Sequence, residues 1–162
     1  QVTVRRLESA LKAPTTQKYR KIGMILWKFG TYRTNEGRND VQSEIDGYDE
    51  YGSQAFQRAV AHLAITPKSQ WNEPQAKKLK GEDPLYEIRY QANNRATRAL
   101  GYFASDGRTF VIVLVCYHKA RVYHPAEAFK SAHKRIGRIE NGLATSVPLQ
   151  IDGESFPEDE EE

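Results

Sequence analysis

The chain has 162 residues, which is enough for one domain with a hydrophobic core that needs no disulfide or metal to hold it. Its single cysteine, Cys116, excludes an intramolecular disulfide and any metal site built from several cysteines. No segment has the apolar length of a signal peptide or a membrane span, so the sequence predicts a cytoplasmic protein.

The net charge of +3 is unevenly distributed along the chain. Residues 152–162 (DGESFPEDEEE) hold seven acidic residues and no basic one, so residues 1–151 hold 24 basic against 14 acidic residues, a balance of +10. Such a body attracts polyanions. We expect an N-terminal arm over residues 1–22, a domain over 23–140 and a disordered acidic tail over 141–162. The tail either aids solubility or competes with RNA for the basic surface.

The first half of the chain predicts one strand and two helices. Residues 23–32 are rich in β-branched and aromatic residues, which favours a strand. Apolar residues at helical spacing predict helices over residues 40–51 and from Ser53 to the proline at position 67, with a break at Gly52. The following stretch, residues 70–83, predicts a linker with a short helical turn and a lysine cluster.

Three strands in quick succession follow, over residues 85–91, 95–103 and 108–119, with the hairpin signals Asn93-Asn94 and Asp106-Gly107 between them. The first alternates between two faces, and the third is apolar on both, which is typical of a central strand. A basic helix begins after Pro125. This order of elements predicts an α+β fold with an antiparallel sheet.

Basic side chains gather along the predicted sheet. Arg89 and Arg98 lie in neighbouring strands, and antiparallel pairing brings such residues within reach of each other. A cluster of cations can hold a phosphodiester and stabilise negative charge on its oxygens, and Trp71, Tyr117 and Tyr123 are candidates for stacking on bases. A merely solvated sheet face is the competing interpretation.

Other chemistries find no support in the sequence. It has no HExxH, no CxxC, no Gly-rich phosphate loop and no dinucleotide fingerprint, so we expect no cofactor. His118, His124 and His133 do not form a metal-ligand pattern, so we expect no metal site.

The segments KKLKGEDPLYEIRY (77–90), RATRALGYF (95–103) and VIVLVCYHKA (111–120), followed by the basic helix, resemble the phage-derived Gp49-like family of HigB-type toxins in the RelE/ParE superfamily. The resemblance spans residues 24–139. It implies a RelE-like fold, in which an N-terminal helical hairpin covers one face of a twisted antiparallel sheet and a basic helix follows at the C-terminal end.

The same resemblance implies a toxin of a toxin–antitoxin pair. Such a toxin is an endoribonuclease that cuts mRNA, on or off the ribosome, without a metal, and so inhibits translation. The ribose 2′-OH attacks the adjacent phosphate while a base and an acid move the protons. The implied partners are mRNA and a cognate helix-turn-helix antitoxin.

The resemblance also suggests a site. Arg89, Arg98 and Lys119 would contact the phosphate, and His118 is the first choice for acid or base because histidine titrates near neutral pH, with His124 and Tyr123 next. The strand ending CYHKARVYHP departs from the family pattern, which leaves the identity of the acid open. Further RNA contacts are expected from five basic residues: Lys77, Lys78, Lys80, Arg95 and Arg121.

Two alternative functions remain at this point. One is a ParE-like toxin that binds a protein target such as DNA gyrase and has no nuclease activity. The other is a non-catalytic nucleic-acid-binding module. The basic cluster and the histidines favour the ribonuclease.

Overall fold

The computed structural model describes residues 24–157. The described elements are, in chain order, β1 (Lys28–Thr34), α1 (Asp40–Asp46), α2 (Glu50–Ala64), a 3₁₀ turn (Lys68–Gln70), β2 (Ala76–Lys78), β3 (Tyr86–Ala92), β4 (Arg95–Phe103), β5 (Thr109–Lys119), β6 (Val122–His124), α3 (Ala128–Glu140), β7 (Ala144–Pro148), β8 (Gln150–Ile151) and β9 (Glu154–Ser155). The fold is α+β, as the sequence predicts. The predicted N-terminal arm, residues 1–22, lies outside the described residues.

The sheet is open and mostly antiparallel. Its strand order is β2-β3-β4-β5-β1-β7, and β6 extends it by pairing with the far end of β5. The meander β3-β4-β5 and the central place of β5 agree with the sequence prediction. The pairing of β1 with β5 is parallel, so the sheet is not purely antiparallel.

Two helical layers enclose the sheet. Tyr90 projects from β3 toward α2, where its ring lies 5.0 Å from that of Phe56, and its hydroxyl lies 2.6 Å from that of Tyr48. On the opposite face α3 packs on β5, β4 and β7 through Ala128, Ala132 and Ile136. The predicted helical pair and the basic helix therefore cover opposite faces of the sheet.

The break between the two N-terminal helices lies earlier than predicted. α1 ends at Asp46, and the Asp49 side chain caps α2 by accepting a hydrogen bond of 2.7 Å from the Gly52 amide. Gly52 is therefore in the first turn of α2 and Ser53 is not its cap. The prediction failed because aspartate and serine are both good caps, and spacing alone does not choose between them.

A glycine is required where β4 and β5 come closest. The pairing slips by one residue between Leu100 and Gly101, which forms a bulge. A Cβ atom at Gly101 would lie 2.3 Å from the carbonyl oxygen of Val111 and 2.6 Å from the ring of Phe110. Val113 of β5 is the unpaired residue of the bulge, between Ile112, which pairs with Gly101, and Leu114, which pairs with Leu100.

The prediction of a disordered tail from residue 141 is wrong for residues 144–157. β7 pairs with β1, and the short hairpin β8-β9 follows it. Leu149, Ile151 and Phe156 are buried in the core. The acidic composition masked these apolar residues, which are widely spaced but all face the same core. The last acidic residues, 158–162, lie outside the described part of the chain.

None of the three helices in the described part of the chain has both the length and the apolar character required to cross a lipid bilayer.

Candidate functional site

Strand register gathers several of the predicted residues on one face of the sheet. Arg89 pairs with Arg98 between β3 and β4, and Arg98 pairs with Cys116 of β5. His118 lies two residues further along β5 and pairs with Tyr123 of β6. Because directly paired residues and residues two apart share a face, all of these side chains project to the same side.

We call this surface the charged face. Its members are Lys77, Glu87, Arg89, Arg98, His118 and Tyr123. It lies on the side of the sheet that α3 partly covers, and Phe129 in the first turn of that helix contacts the ring of Tyr123 at 4.6 Å between centroids. Helix α3 therefore forms one border of the charged face.

Glu87 lies at the centre of the charged face and is only 2% exposed. Its Oε2 accepts a hydrogen bond of 2.5 Å from the Tyr123 hydroxyl. The Nε of Arg89 lies 3.7 Å from Oε1, and the Nε of Arg98 lies 3.9 Å from Oε2. The carboxylate therefore counterbalances two arginines, both at distances longer than a hydrogen bond.

Arg98 is the most deeply placed cation of the charged face, at 7% exposure. One terminal nitrogen donates to the carbonyl oxygen of Thr97 at 2.9 Å. Its Nε is buried and has no hydrogen-bond partner among the described residues. An unpaired buried donor is rare in folded proteins, and Glu87 Oε2 lies 3.9 Å from this nitrogen, beyond hydrogen-bond distance.

Arg89 lies at the outer side of the charged face, with 28% of its side chain exposed. Its terminal nitrogen donates to Glu73 at 2.7 Å, and Lys77 lies 3.7 Å from the same carboxylate. Glu73 itself is 59% exposed, so solvent weakens both ion pairs. An anion of higher charge can therefore compete with Glu73 for Arg89 and Lys77.

Tyr123 and His118 adjoin at the β5-β6 end of the charged face, with 4.8 Å between ring centroids. Burial raises the pKa of the Tyr123 phenol, and its hydrogen bond to Glu87 raises the pKa further because it stabilises the protonated form. Tyr123 therefore stays protonated at neutral pH. It is a donor in this site and cannot act as the base.

Other predicted residues lie away from the charged face. His124 pairs with Tyr117 and stacks on its ring at 4.9 Å, and Arg95 lies over the same ring at 4.6 Å. Register places this group on the opposite side of the sheet, and Lys119 alternates onto that side as well. The sequence analysis grouped His124 and Lys119 with Arg98 in one site and expected Arg95 to be a further RNA contact, because closeness along the chain does not reveal which face a residue occupies.

The remaining predicted RNA contacts are peripheral. Lys78 pairs in register with Tyr86, on the side opposite to the charged face, and forms an ion pair with Asp83 at 3.3 Å. Lys80 is exposed in the loop that follows β2. Arg121 is exposed in the two-residue turn between β5 and β6, where its φ is +65°.

Trp71 does not stack on a ligand. It is 3% exposed and packs among Trp27, Phe103 and Phe110, and its indole nitrogen donates to the Thr66 carbonyl at 2.9 Å. The prediction of a base-stacking role is therefore wrong. The surrounding polar linker suggested exposure, whereas the fold turns this side chain into the core.

Cys116 is buried and pairs in register with Arg98. Burial and the nearby Glu87 carboxylate raise the pKa of its thiol to about 12. The thiol is therefore protonated at neutral pH and is a poor nucleophile.

The two acidic residues of the site, Glu87 and Glu73, were not predicted. Alternation along β3 does put Glu87 on the same face as Arg89, so that signal was available in the sequence. Glu73 had no such signal, because it comes from the loop before β2 and reaches Arg89 only through the tertiary fold.

The described residues form no group of three His, Cys, Asp or Glu side chains with a geometry that holds a metal ion. A cleft of about 740 Å³ lies elsewhere, where Lys28, Tyr102 and Pro148 are among its lining residues. None of the predicted site residues lines this cleft.

Comparison with known proteins gives one match. Residues 43–137 match the family described as phage derived protein Gp49-like (DUF891). No curated protein and no solved structure matches the chain significantly. The matched segment is 95 of 162 residues and runs from α1 to α3, so it includes every member of the charged face. The chain therefore belongs to the Gp49-like family of phage-derived proteins.

Proposed function

We propose that this protein is an RNA-cleaving toxin with a RelE-like fold, the toxic half of a toxin–antitoxin pair. The observation that carries the proposal is the convergence of Arg89, Arg98, His118 and Tyr123 on one face of the sheet. Membership of the Gp49-like family supports it. The substrate is mRNA, and a cognate antitoxin controls the activity.

The proposed reaction is an in-line displacement at phosphorus that needs no metal. The 2′ oxygen of the ribose attacks the adjacent phosphorus and gives its proton to a base, while the 5′ oxygen leaves and takes a proton from an acid. The products are a 2′,3′-cyclic phosphate and a 5′-hydroxyl. Negative charge grows on the two non-bridging oxygens, and cations placed there lower the barrier.

Roles follow from the contacts of each side chain. The charge of Arg98 stabilises the phosphate from the interior of the charged face, and the more exposed Arg89 exchanges Glu73 for the same phosphate. His118 moves a proton, because it is the histidine among the members of the charged face and an imidazole ring has nitrogens that can accept and donate a proton. Tyr123 positions Glu87 through its hydrogen bond, and the Glu87 carboxylate offsets the repulsion between the two arginines.

The test compares RNA cleavage by wild type, Arg89→Gln and a matched control, Arg108→Gln, each in EDTA. Arg108 is an exposed arginine in the β4-β5 hairpin, at the opposite end of β5 from His118. Loss of one transition-state donor lowers the rate by about 100–1,000-fold, so Arg89→Gln should show that loss and Arg108→Gln should not. Arg98→Lys keeps the buried charge and removes the donor fork, which tests Arg98 without emptying its site.

Three results would reject the proposal. They are cleavage that requires an added divalent metal, products that end in a 3′-hydroxyl, and equal rates for Arg89→Gln and Arg108→Gln.

A second candidate is a nucleic-acid-binding module without catalysis. Glu73 and Glu87 neutralise part of the charge of Arg89 and Arg98, the arginines proposed to act in catalysis, whereas the exposed Lys80 and Arg121 lie outside these ion pairs and can still contact phosphates. Wild-type protein that binds RNA in a salt-dependent way and leaves it intact after prolonged incubation would support this candidate.

A further inference from the structure

A second basic site lies between α3 and the segment that joins β1 to α1. It is a pocket of about 350 Å³, which we call the arginine pocket, and its principal lining residues are Tyr32, Arg38, Asp40, Lys134, Arg135 and Arg138. None of these residues belongs to the charged face. Four cationic side chains against one carboxylate leave the arginine pocket a net charge of +3.

Arg135 and Asp40 form a fixed wall of this pocket. The guanidinium donates to both carboxylate oxygens, at 2.7 and 2.6 Å, and also to the Val113 carbonyl at 2.9 Å. It lies over the ring of Tyr32 at 4.8 Å. The hydrogen bond from Arg135 holds the pKa of Asp40 below its usual value, so the carboxylate is ionised and already engaged at neutral pH.

The other three cations keep free donors. Arg138 donates from Nε to the Tyr32 hydroxyl at 3.1 Å, which orients the guanidinium and uses only one of its five N–H groups. Arg38, Lys134 and Arg138 form no salt bridge with any residue of the 24–157 range. Like charges held around one concavity repel each other, and a bound anion relieves that repulsion.

We infer that the arginine pocket binds a phosphate group. Guanidinium forks match the geometry of phosphate oxygens, and a phosphate can accept from two arginines and a lysine at once. The wall formed by Arg135, Asp40 and Tyr32 is already ordered, so little conformational freedom is lost on binding. The phosphate comes either from the backbone of an RNA or from a free phosphorylated molecule. This inference concerns binding alone and does not rest on the cleavage activity proposed above.

The experiment compares wild type with the double variant Lys134→Gln/Arg138→Gln and with the control Lys130→Gln. Lys130 is exposed on the same helix and does not line the pocket, so the control also removes a positive charge from α3. In the first arm inorganic phosphate is added at constant ionic strength and the melting temperature is recorded. A ligand that binds the folded state raises it. Wild type and Lys130→Gln should show the rise, and the double variant should not.

The second arm identifies the source of the phosphate. A single-stranded RNA with 2′-O-methyl ribose, which cannot undergo attack by the 2′ oxygen, is titrated at several salt concentrations. If the RNA backbone occupies the pocket, the double variant should lower the magnitude of the slope of log K against log salt by about 0.7, the value for one lost phosphate contact on a single strand. If that slope equals the slope of Lys130→Gln while the phosphate arm still separates the variants, the ligand is a free phosphorylated molecule.

The inference is overturned if the double variant and Lys130→Gln respond alike to inorganic phosphate. It is also overturned if polyglutamate raises the melting temperature of wild type but not of the double variant, and inorganic phosphate raises neither. The pocket would then recognise an acidic protein segment. Circular dichroism of each variant shows whether it still folds. The single variant Lys134→Gln changes only an exposed residue, so a loss of phosphate binding in this variant is not a loss of the fold. Both arms measure binding and can be interpreted even if wild type does not cleave RNA. The proposed function and this inference can therefore be refuted independently of each other.

Discussion

The hydrogen bond from Tyr123 to Glu87 is expected to stabilise the whole fold as well as order the charged face. Tyr123→Phe removes one hydroxyl and keeps the ring that packs on Phe129. Glu87 is then left 2% exposed, and its nearest described cations lie 3.7 and 3.9 Å away, beyond hydrogen-bond distance.

The magnitude follows from the type of bond that is lost. A hydrogen bond to a charged group contributes about 1.5–3 kcal/mol, and a buried acceptor left unpaired brings the cost toward the upper part of that range. We therefore expect Tyr123→Phe to lower the free energy of unfolding by about 2–3 kcal/mol. Glu87→Gln should cost a similar amount or more, because it leaves Arg98 buried without a counter-charge.

Urea unfolding followed by tryptophan fluorescence is a suitable assay, since Trp71 is buried among aromatic rings and reports the loss of the core. The matched control is Tyr117→Phe on the same hairpin. The Tyr117 hydroxyl forms no hydrogen bond with the described residues, so this variant should change stability by less than about 0.5 kcal/mol.

Combining Tyr123→Phe with Glu87→Gln tests whether the two residues act through each other. Their effects should be less than additive by about 1–2 kcal/mol, as is usual for residues in one polar network. Equal stability of Tyr123→Phe and Tyr117→Phe would refute the reasoning, and so would full additivity in the double variant.

Two further predictions concern stability. Gly52→Ala should destabilise the protein despite the helical propensity of alanine, since a Cβ there would lie 2.7 Å from the Cβ of Ala92. In Gly137→Ala the added Cβ meets nothing within 4 Å, so this variant in α3 should stabilise the protein by about 0.5–1 kcal/mol. The opposite signs are measurable in one set of urea titrations, and a gain in both would contradict the packing at Gly52. The Arg135 hydrogen bond lowers the pKa of Asp40 in the folded state below its usual value of 3.8. The ion pair therefore contributes its full stabilisation above about pH 3.8, and this stabilisation is lost as the pH falls through the pKa of the folded state. Asp40→Asn should thus have a lower free energy of unfolding than wild type at pH 6, and the difference should be smaller at pH 3. A difference that does not change with pH would count against this ion pair.

Much of the sheet followed from the sequence alone. The alternation of Tyr86, Ile88 and Tyr90 with polar residues, and the doubly apolar run of β5, reflect the period-two geometry of strands, which any chain must obey to bury one face or two. The turn signals at Asn93-Asn94 and Asp106-Gly107 placed the strand ends within a residue or so, because only certain residues tolerate the backbone angles of a tight turn.

The composition of the candidate site was decided by tertiary structure. Arg89 and Arg98 could be expected to meet, since both lie in one predicted hairpin, but the roles of Glu73 and Glu87 depend on a loop and a burial depth that no local pattern encodes. His124 was separated from His118 by alternation across a turn of two residues.

The arginine pocket shows the same division between sequence and fold. The sequence identified α3 as a basic helix, because charge and helical spacing are local properties. Arg135 meets Asp40 across 95 positions of chain, and Arg138 meets Tyr32 across 106. The sequence determines which side chains can bind a phosphate, and only the packing of α3 beside β1 and the start of α1 decides which of them do so together, because contacts at that separation depend on how distant elements stack.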